Sequence, residues 1–378
     1  MRRSSMINNN FFDLRANYVF SEVAQKVEKF KKQNPDVKLT SYGIGDVCFP
    51  LSKTVVTALE NAAARLGTDD GFLGYQDEGG IKALKAAVSN FYKNRRKVSV
   101  SENEIFISDG AKSDIGGLLE LFSTSSVVLV SDPVYPAYVD AATIRGLAVQ
   151  TVSATPENRF LPSPPDFSAD VIFLCSPSNP TGATYDYAGL EKWVRYAKKV
   201  GAIILFDAAY AEFSPDGFPK SIYEIDGAKE VAIEISSFSK SHGFTGLRCG
   251  WSVVPNELET SGVRLQKFWR RRQAARFNGA SVLAQAGAVA ALSEEGLAEA
   301  SVYINHYKRN AAALKNRLMT EGLQVFGSAP YLWVKCPSGF TDESYFDYCL
   351  NVKHEIVTPG SGFGSSGKEF VRYGCFFR

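Results

Sequence analysis

Lys240 lies where a lysine could do covalent chemistry. It belongs to the segment 237–240, which follows an apolar run at residues 231–235, and Arg248 comes shortly after it. A lysine amine in such a place can hold an aldehyde cofactor as a Schiff base, with hydroxyls and a guanidinium nearby to bind a phosphate group. A lone lysine is usually an exposed turn residue. The interpretation therefore depends on what the rest of the chain places beside Lys240.

Asp207 ends another apolar run, so its carboxylate would be partly desolvated unless a cation met it. A protonated pyridine nitrogen is such a cation, and pairing with a carboxylate keeps the ring protonated as an electron sink. The alternative role for Asp207 is a helix N-cap. Tyr210 could hydrogen-bond a phenolate oxygen on the same ring, or it could be an ordinary packing tyrosine.

Several donors are spaced to hold a phosphate. Ala111 and Lys112 open a helical pattern after Gly110, and the free N–H groups at a helix start suit an anion. Ser237, Ser239 and Arg248 would add side-chain donors to the same group.

Three more residues are candidates for contacts with a ligand. Tyr135 lies between two prolines, a setting that suits a ring stacked on a planar cofactor, and Asn179 lies in a turn whose chemistry alone could explain it. Arg372 is a candidate carboxylate clamp, although a lone arginine is usually a surface charge. The glycine-rich segment 362–367 matches a dinucleotide-binding pattern but opens no helix in a βαβ unit, so we set it aside.

Short apolar runs alternate with helical patterns through the middle of the chain. The runs lie at 104–108, 127–131, 171–175, 202–206, 231–235 and 250–254, and a helical pattern such as 187–200 separates several of them. This alternation predicts an α/β fold with a mostly parallel sheet covered by helices on both faces. The last run follows Lys240 too closely for a crossover helix, so we expect it to be antiparallel. Because strand carboxyl ends share one edge, the polar motifs should converge there.

The chain ends have a different pattern from the middle. Residues 20–32 and 292–320 look like amphipathic helices, and 332–335, 355–358 and 370–373 look like short strands. We expect a smaller α+β domain built from both ends. The predicted division is an arm and first part of the small domain at 1–49, a large cofactor-binding domain at 50–277 and a small domain at 278–378.

Composition is that of an ordinary soluble globular protein. The chain has 378 residues, 45% apolar and 22% charged, with a formal charge of +2, which gives no general attraction to nucleic acid or to a membrane surface. The six scattered cysteines form no metal or disulfide pattern, and no signal peptide or membrane span is evident. We expect a cytoplasmic protein, or an organellar one after removal of a transit peptide.

At this point the motifs resemble those of the fold type I, aspartate aminotransferase-like, pyridoxal-phosphate enzymes. Asn179-Pro180-Thr181-Gly182 and the spacing from Ser237 to Lys240 are typical of the superfamily. The motifs at 108–112, 243–248 and 277–281 look most similar to the LL-diaminopimelate aminotransferase family. Further matching stretches are 17–20, 43–46, 132–140, 207–210 and 370–372.

The resemblance implies a pyridoxal 5'-phosphate cofactor and a homodimer with shared active sites. According to this resemblance Lys240, Asp207 and Tyr210 are catalytic. Lys240 is implied to bond to the cofactor and to move a proton between the substrate Cα and the cofactor carbon. The residues implied to bind the cofactor's ring and phosphate are Lys240, Asp207, Asn179, Tyr210, Tyr135, Ala111, Lys112, Ser237, Ser239, Arg248 and Tyr75, the last from the second subunit. Those implied to bind the amino acid and 2-oxo acid substrates are Tyr18, Gly43, Glu78, Lys112, Tyr135, Asn179, Asn278 and Arg372.

The implied reaction converts tetrahydrodipicolinate and glutamate into LL-diaminopimelate and 2-oxoglutarate. The chain departs from the family pattern at 47–50, at 76–80 and in a short 151–160 segment, and it ends at Arg378 where relatives continue into a helix. These departures leave open an aminotransferase of the same fold acting on another amino acid, lysine-like or aromatic. A non-catalytic cofactor-binding regulator is less favoured, because the segment before Tyr18 has no room for a DNA-binding domain.

Overall fold

The computed structural model describes residues 6–14, 18–43 and 45–378. Asn17 and Ile44, which belong to two of the matching motifs, therefore lie outside the described residues, as do residues 1–5 of the polar amino terminus.

Helices and strands alternate through most of the described chain. The α-helices are α1 (Val19–Gln33), α2 (Lys53–Leu66), α3 (Lys82–Phe91), α4 (Ala111–Leu118), α5 (Pro136–Arg145), α6 (Tyr187–Val200), α7 (Phe238–Ser241), α8 (Leu265–Arg276), α9 (Val282–Ala291), α10 (Glu294–Thr320) and α11 (Asp342–Tyr348). The strands are β1 (Thr40–Ser41), β2 (Ile105–Ser108), β3 (Val127–Asp132), β4 (Ala148–Ser153), β5 (Val171–Cys175), β6 (Ile203–Asp207), β7 (Ala232–Ser237), β8 (Gly250–Val253), β9 (Glu259–Thr260), β10 (Val263–Arg264), β11 (Val325–Ser328), β12 (Tyr331–Lys335), β13 (Glu355–Ile356), β14 (Thr358–Pro359) and β15 (Phe370–Gly374).

The large sheet has seven strands in the order β2-β8-β7-β6-β5-β3-β4. The strands from β7 to β4 are parallel, and β8 runs antiparallel to both β7 and β2. The predicted mostly parallel sheet and its antiparallel last strand are confirmed. The edge strand β4 was missing from the six predicted runs, because its exposed, half-polar residues form no continuous apolar stretch.

Both faces of the large sheet are covered. Along β5, Ile172 and Leu174 belong to one apolar cluster while Val171 and Phe173 belong to another, as the two-residue period of a strand requires. Helix α6 contributes to the first cluster, and helices α4, α5 and α8 contribute to the second. The helix-covered α/β sheet predicted from the sequence is therefore confirmed.

A second, antiparallel sheet has the order β11-β12-β15-β14. Its apolar cluster includes residues of α1, α10 and α11, and β1 pairs with β13, so both chain ends contribute. The predicted end helices and strands are confirmed, except that the run at 355–358 is divided between β13 and β14. Helix α9, just after position 278, contacts α2 and α3, and the domain bounds stay a prediction.

Two further features bear on the predicted class. None of the helices in the described residues is long and apolar enough to cross a membrane. All six cysteines are free thiols.

Strand β7, which leads to Lys240, carries the buried carboxyl group of Glu234. Tyr92 donates a hydrogen bond of 2.5 Å to Oε1, and Ser221 Oγ and the Ile222 N–H donate to Oε2 at 2.6 and 2.9 Å. Burial raises the pKa of Glu234, and these donors oppose the shift. Trp251 Nε1 in turn donates to the Tyr92 hydroxyl at 3.2 Å. Tyr92 thus links the Glu234 carboxyl group to the Trp251 indole, while Ser221 and Ile222 satisfy the other carboxyl oxygen.

Replacing Tyr92 with Phe should lower the free energy of unfolding by about 1–3 kcal/mol, because Glu234 and the Trp251 indole each lose a buried partner. Denaturant or thermal unfolding of the purified variant measures the change. The control is Tyr348→Phe, which alters an exposed tyrosine and should leave stability unchanged. Equal stability of the Tyr92 variant and the unmodified protein would contradict the assignment.

Candidate active site

The carboxyl ends of the parallel strands open into a cavity of about 360 Å³. Its walls include Asn179, Asp207 and Ser237, which follow or end the neighbouring strands β5, β6 and β7. The sequence-predicted residues that line it are Ala111, Lys112, Tyr135, Asn179, Asp207, Tyr210, Ser237, Ser239, Lys240 and Arg248. The structure therefore brings the polar motifs together at one sheet edge.

Lys240 lies on α7, a single helical turn that begins directly after β7. Ser237 caps this turn, with its hydroxyl accepting a hydrogen bond of 3.1 Å from the Ser239 N–H. Lys240 Nζ donates to the carbonyl oxygen of Gly45 at 2.7 Å. Burial lowers the pKa of Lys240, the negative charge of Asp46 opposes this shift, and the positive charges of Arg372 and Arg248 add to it, so that the pKa is about 8. The amine is therefore neutral, and nucleophilic, at a lower pH than an exposed lysine.

Asp207 is only 3% exposed and is hydrogen-bonded by neutral donors. Tyr138 donates to Oδ2 at 2.5 Å, and the Ala209 N–H donates to Oδ1 at 2.9 Å. Burial raises the pKa of Asp207, and both hydrogen bonds oppose that shift. The N-cap alternative is wrong, because the N-cap of the following 3-10 helix is Tyr210. A buried carboxylate held by neutral groups fits a ligand that brings a positive charge, such as a protonated pyridine nitrogen.

Tyr138 is a functional candidate that sequence reasoning missed. Its ring stacks on Phe173 with centroids 4.5 Å apart, which fixes the hydroxyl against Asp207. The available signal was its place on α5, one helical turn after Tyr135 and beside the strand ends. Aromatic residues on a helix usually pack in the core, and this one packs and donates at the same time.

The donors predicted to hold phosphate surround the start of α4. Gly110 has φ +118°, and a Cβ at this position would collide with the Arg248 guanidinium. Glycine therefore allows Arg248 to approach the free N–H groups at the helix start. Arg248 Nη1 donates to Ser239 Oγ at 3.4 Å, and Ser237 Oγ donates to Ser239 Oγ at 3.0 Å. Hydroxyls, a guanidinium and helix N–H groups form a donor set that fits a phosphate.

Arg372 lies on β15 and is 1% exposed, so the surface-charge alternative is wrong. Nη1 donates to Asn179 Oδ1 at 2.7 Å and Nη2 donates to the Gly43 carbonyl at 2.6 Å. Nε has no hydrogen-bond partner in the described part of the chain. A buried guanidinium bonded to two neutral oxygens is suited to receive a carboxylate.

The predicted substrate-binding residues divide into two groups. Lys112 Nζ lies 5.1 Å from the ring centroid of Tyr18 and 5.8 Å from that of Tyr135, so these three side chains are neighbours near the cavity. Gly43 contacts Arg372. Tyr18, Gly43 and Arg372 thus lie beside the cavity and not in its lining. Glu78 and Asn278 also do not line it in the described chain, nor does the predicted cofactor residue Tyr75, which is 94% exposed.

The fold and site together define a class of protein. The family model for class I and II aminotransferases matches residues 37–375, and the chain belongs to that family. It is a pyridoxal-phosphate-dependent aminotransferase.

Solved structures of several aminotransferases resemble this chain over nearly its whole length. The L,L-diaminopimelate aminotransferase of Chlamydomonas reinhardtii is 42% identical, with a TM-score of 0.93 over 98% of this chain and 95% of that one. Substrate-bound BacF of Bacillus subtilis is 28% identical, with a TM-score of 0.87 over 98% and 94%. A mutant aspartate aminotransferase of Thermus thermophilus, 21% identical with a TM-score of 0.88 over 98% and 95%, shares the fold.

The low pKa of Lys240 has a measurable consequence for cofactor capture. When the apoprotein is mixed with pyridoxal phosphate, the rate at which the visible absorption band appears should rise with pH up to about 8 and then level off, because the amine is neutral above that pH. Stopped-flow absorbance between pH 6 and 10 measures this dependence.

Two controls define the effect. Free Nα-acetyl-lysine should give a rate that keeps rising towards pH ~10.4, the usual lysine value, and Lys240→Ala should form no such band. If the apoprotein rate continued to rise tenfold per pH unit above pH 9, Lys240 would not have the lowered pKa that its burial predicts.

Proposed function

We propose that this aminotransferase interconverts tetrahydrodipicolinate plus glutamate and LL-diaminopimelate plus 2-oxoglutarate, a step of lysine biosynthesis. The observation that carries the substrate assignment is the 42% identity, over 98% of the chain, to the L,L-diaminopimelate aminotransferase of Chlamydomonas reinhardtii. We also propose that it acts in the cytoplasm, or in an organelle after removal of a transit peptide.

The proposed chemistry assigns one task to each residue of the cavity. Pyridoxal phosphate supplies an aldehyde that an amine can attack and a protonated ring that withdraws electrons. Lys240 Nζ would hold the cofactor through its aldehyde group with loss of water. When the substrate amine displaces it there, the freed Lys240 amine would take a proton from the substrate Cα and return it. Asp207, oriented by Tyr138, would hold a proton on the ring nitrogen.

The remaining cavity residues bind and orient. Asn179 and Tyr210 would hold the ring oxygen, and Tyr135 would stack on the ring. Ala111, Lys112, Ser237, Ser239 and Arg248 would hold the phosphate, with Tyr75 added by a second subunit. Hydrogen bonds within the chain already hold Asn179, Tyr210, Ser237, Ser239 and Arg248, which reduces the reorganisation needed during the reaction.

The substrate would be held by its α-carboxylate on Arg372. Tyr18, Gly43, Lys112, Tyr135 and Asn179 surround the same region, and Glu78 and Asn278 of a second subunit would complete recognition. Diaminopimelate carries an ammonium and a carboxylate at its far end, so a carboxylate and an amide have suitable chemistry for that end.

A same-fold aminotransferase with another amino acid as substrate is the second candidate. The departure from the family pattern at Cys48 and Phe49 favours it, because this pair follows shortly after Gly45 and Asp46 of the cavity lining and Phe49 stacks on Tyr303 with centroids 4.6 Å apart. The Tyr307 hydroxyl accepts hydrogen bonds from the Cys48 and Phe49 N–H groups at 3.1 and 3.4 Å. An apolar, anchored segment at this place could favour a lysine-like or aromatic side chain.

Half-reaction rates distinguish the two candidates. Mixing the enzyme with LL-diaminopimelate should change the visible spectrum of the bound cofactor faster than mixing with lysine, phenylalanine, tyrosine or aspartate, because only diaminopimelate has both charged groups at its far end. Rapid-scan absorbance at equal amino acid concentrations measures the order. No reaction with LL-diaminopimelate, together with a fast reaction of another amino acid, would replace the first candidate by the second.

Shared active sites in a homodimer can be tested with two complementary variants. Tyr75→Ala should raise the cofactor Kd at least about tenfold through loss of a charge-assisted phosphate contact and lose most of its activity at limiting cofactor, and Lys240→Ala should abolish turnover. In a hybrid of these two variants, one site would contain both an intact Lys240 and the other subunit's intact Tyr75, so activity at limiting cofactor should return on co-expression.

The hybrid result depends on which subunit supplies Tyr75. If Tyr75 served its own subunit, each site of the hybrid would lack one of the two residues, and the hybrid would need as much cofactor as the Tyr75→Ala homodimer. The hybrid is isolated with two different affinity tags, and each singly substituted homodimer serves as the control.

A further inference from the structure

Tyr331 joins the two sheets at the cavity. It is the first residue of β12 in the small sheet and is 2% exposed. Its hydroxyl lies 3.0 Å from the hydroxyl of Tyr210, which follows β6 of the large sheet. A hydroxyl pair between two sheets fixes the position of each phenol relative to the other.

The ring of Tyr331 also faces the carboxylate-binding arginine. The Arg372 guanidinium carbon lies 4.4 Å from the Tyr331 ring centroid, nearer than the 4.9 and 5.1 Å to Phe363 and Phe20. A desolvated guanidinium over an aromatic face is stabilised by the electrons of the ring. Tyr331 is therefore the nearest of the three rings that hold this buried charge.

A third contact links Tyr331 to the partner of Lys240. Gly45 has φ +64°, and a Cβ at that position would lie 2.7 Å from the Tyr331 hydroxyl and 3.3 Å from Arg372 Nη2. The carbonyl of the same Gly45 accepts the hydrogen bond from Lys240. Tyr331 thus contacts Tyr210 and Arg372 directly and lies beside Gly45, which holds Lys240.

The number of protons on the two phenols determines which hydroxyl donates the hydrogen bond between them. Each phenol has one proton to donate and an oxygen that accepts. If Tyr210 directs its proton to the ring oxygen of the cofactor, the hydrogen bond between the phenols must be donated by Tyr331. The hydrogen bond from Tyr331 then orients the Tyr210 proton towards the ring.

We propose that Tyr331 is a positioning residue: its hydroxyl donates to Tyr210 and aims the Tyr210 proton at the cofactor ring oxygen, while its ring holds Arg372 for the substrate carboxylate. This inference rests on the roles proposed above for Tyr210 and Arg372. It assigns the hydroxyl and the ring of one side chain to different effects, which two substitutions can separate.

Tyr331→Phe removes only the hydroxyl. Donation to an anionic ring oxygen favours the deprotonated form of the bound cofactor, so weaker donation should raise the pH midpoint of its visible absorption change by about 0.5 unit. The value of kcat/KM should fall about fivefold, as for one lost hydrogen bond, with KM for the amino acid little changed. Spectra recorded from pH 5 to 10 and steady-state kinetics measure both effects.

Tyr331→Leu removes the ring as well. The KM for the amino acid and for the 2-oxo acid should then rise about tenfold or more, because Arg372 loses a cation–π contact in a desolvated site. The two variants together separate the effect on the spectrum from the effect on carboxylate binding.

Tyr373→Phe is the matched control. Tyr373 is a buried tyrosine of the same small sheet, and its hydroxyl contacts Glu355 at 3.4 Å and Cys349 at 3.7 Å. This substitution can affect stability but should leave the pH midpoint unchanged. An equal shift in the Tyr373 and Tyr331 variants would reduce Tyr331 to a structural role and overturn the proposal.

A double-substitution test shows whether Tyr331 acts through Tyr210. Tyr210→Phe alone should raise the pH midpoint, and adding Tyr331→Phe should then cause no further shift. No shift in Tyr210→Phe would refute the role proposed for Tyr210 itself. A shift in Tyr210→Phe with none in Tyr331→Phe would overturn only the role of Tyr331, and additive shifts would show that Tyr331 does not act through Tyr210.

Discussion

The cavity depends on holding charged side chains away from water without neutralising them inside the chain. Asp207 and Arg372 are 3% and 1% exposed, and the hydrogen bonds described above join each of them to neutral groups. Removing an ion from water costs several kcal/mol even after relaxation. The fold must supply that free energy through its core, and a ligand carrying the opposite charges recovers part of it on binding. This is a physical reason for a rigid, well-packed sheet beneath the site.

The strand register is what makes the arrangement possible. Cys175 of β5 lies opposite Asp207 of β6, and Asp207 lies opposite Ile235 of β7. Neighbouring strands are about 4.8 Å apart, so the segments that follow them begin almost side by side. Asn179, Asp207 and Lys240 then reach the cavity from adjacent strand ends, although they are far apart along the chain.

Hydrophobic periodicity predicted most of this architecture because the central strands are apolar on both faces and the helices are amphipathic. It failed for β4, whose edge position allows polar residues, and it could not show that Arg372 is buried, since β15 is a short strand at the end of the chain. The polar motifs after the strands indicated the cavity correctly. Tyr138 and Tyr331 were missed because a pattern along the chain does not show which distant aromatic residue supplies a hydroxyl to a site. Tyr210 and Tyr331 are separated by 121 positions.

The two sheets have different tasks, and few side chains connect them at the cavity. The large sheet provides the groups suited to the cofactor, and the small sheet provides Arg372. The hydrogen bonds Asn179–Arg372 and Tyr210–Tyr331 cross between them. Segment 45–49 runs along the same junction, with Gly45 bonded to Lys240 and Cys48 bonded to Tyr307. Within this segment Gly45 and Asp46 match the pattern that the resemblance implies, and residues 47–49 depart from it. Gly45 bonds to Lys240, whereas the N–H groups of Cys48 and Phe49 bond to Tyr307. The departures therefore fall on residues other than the one that holds Lys240.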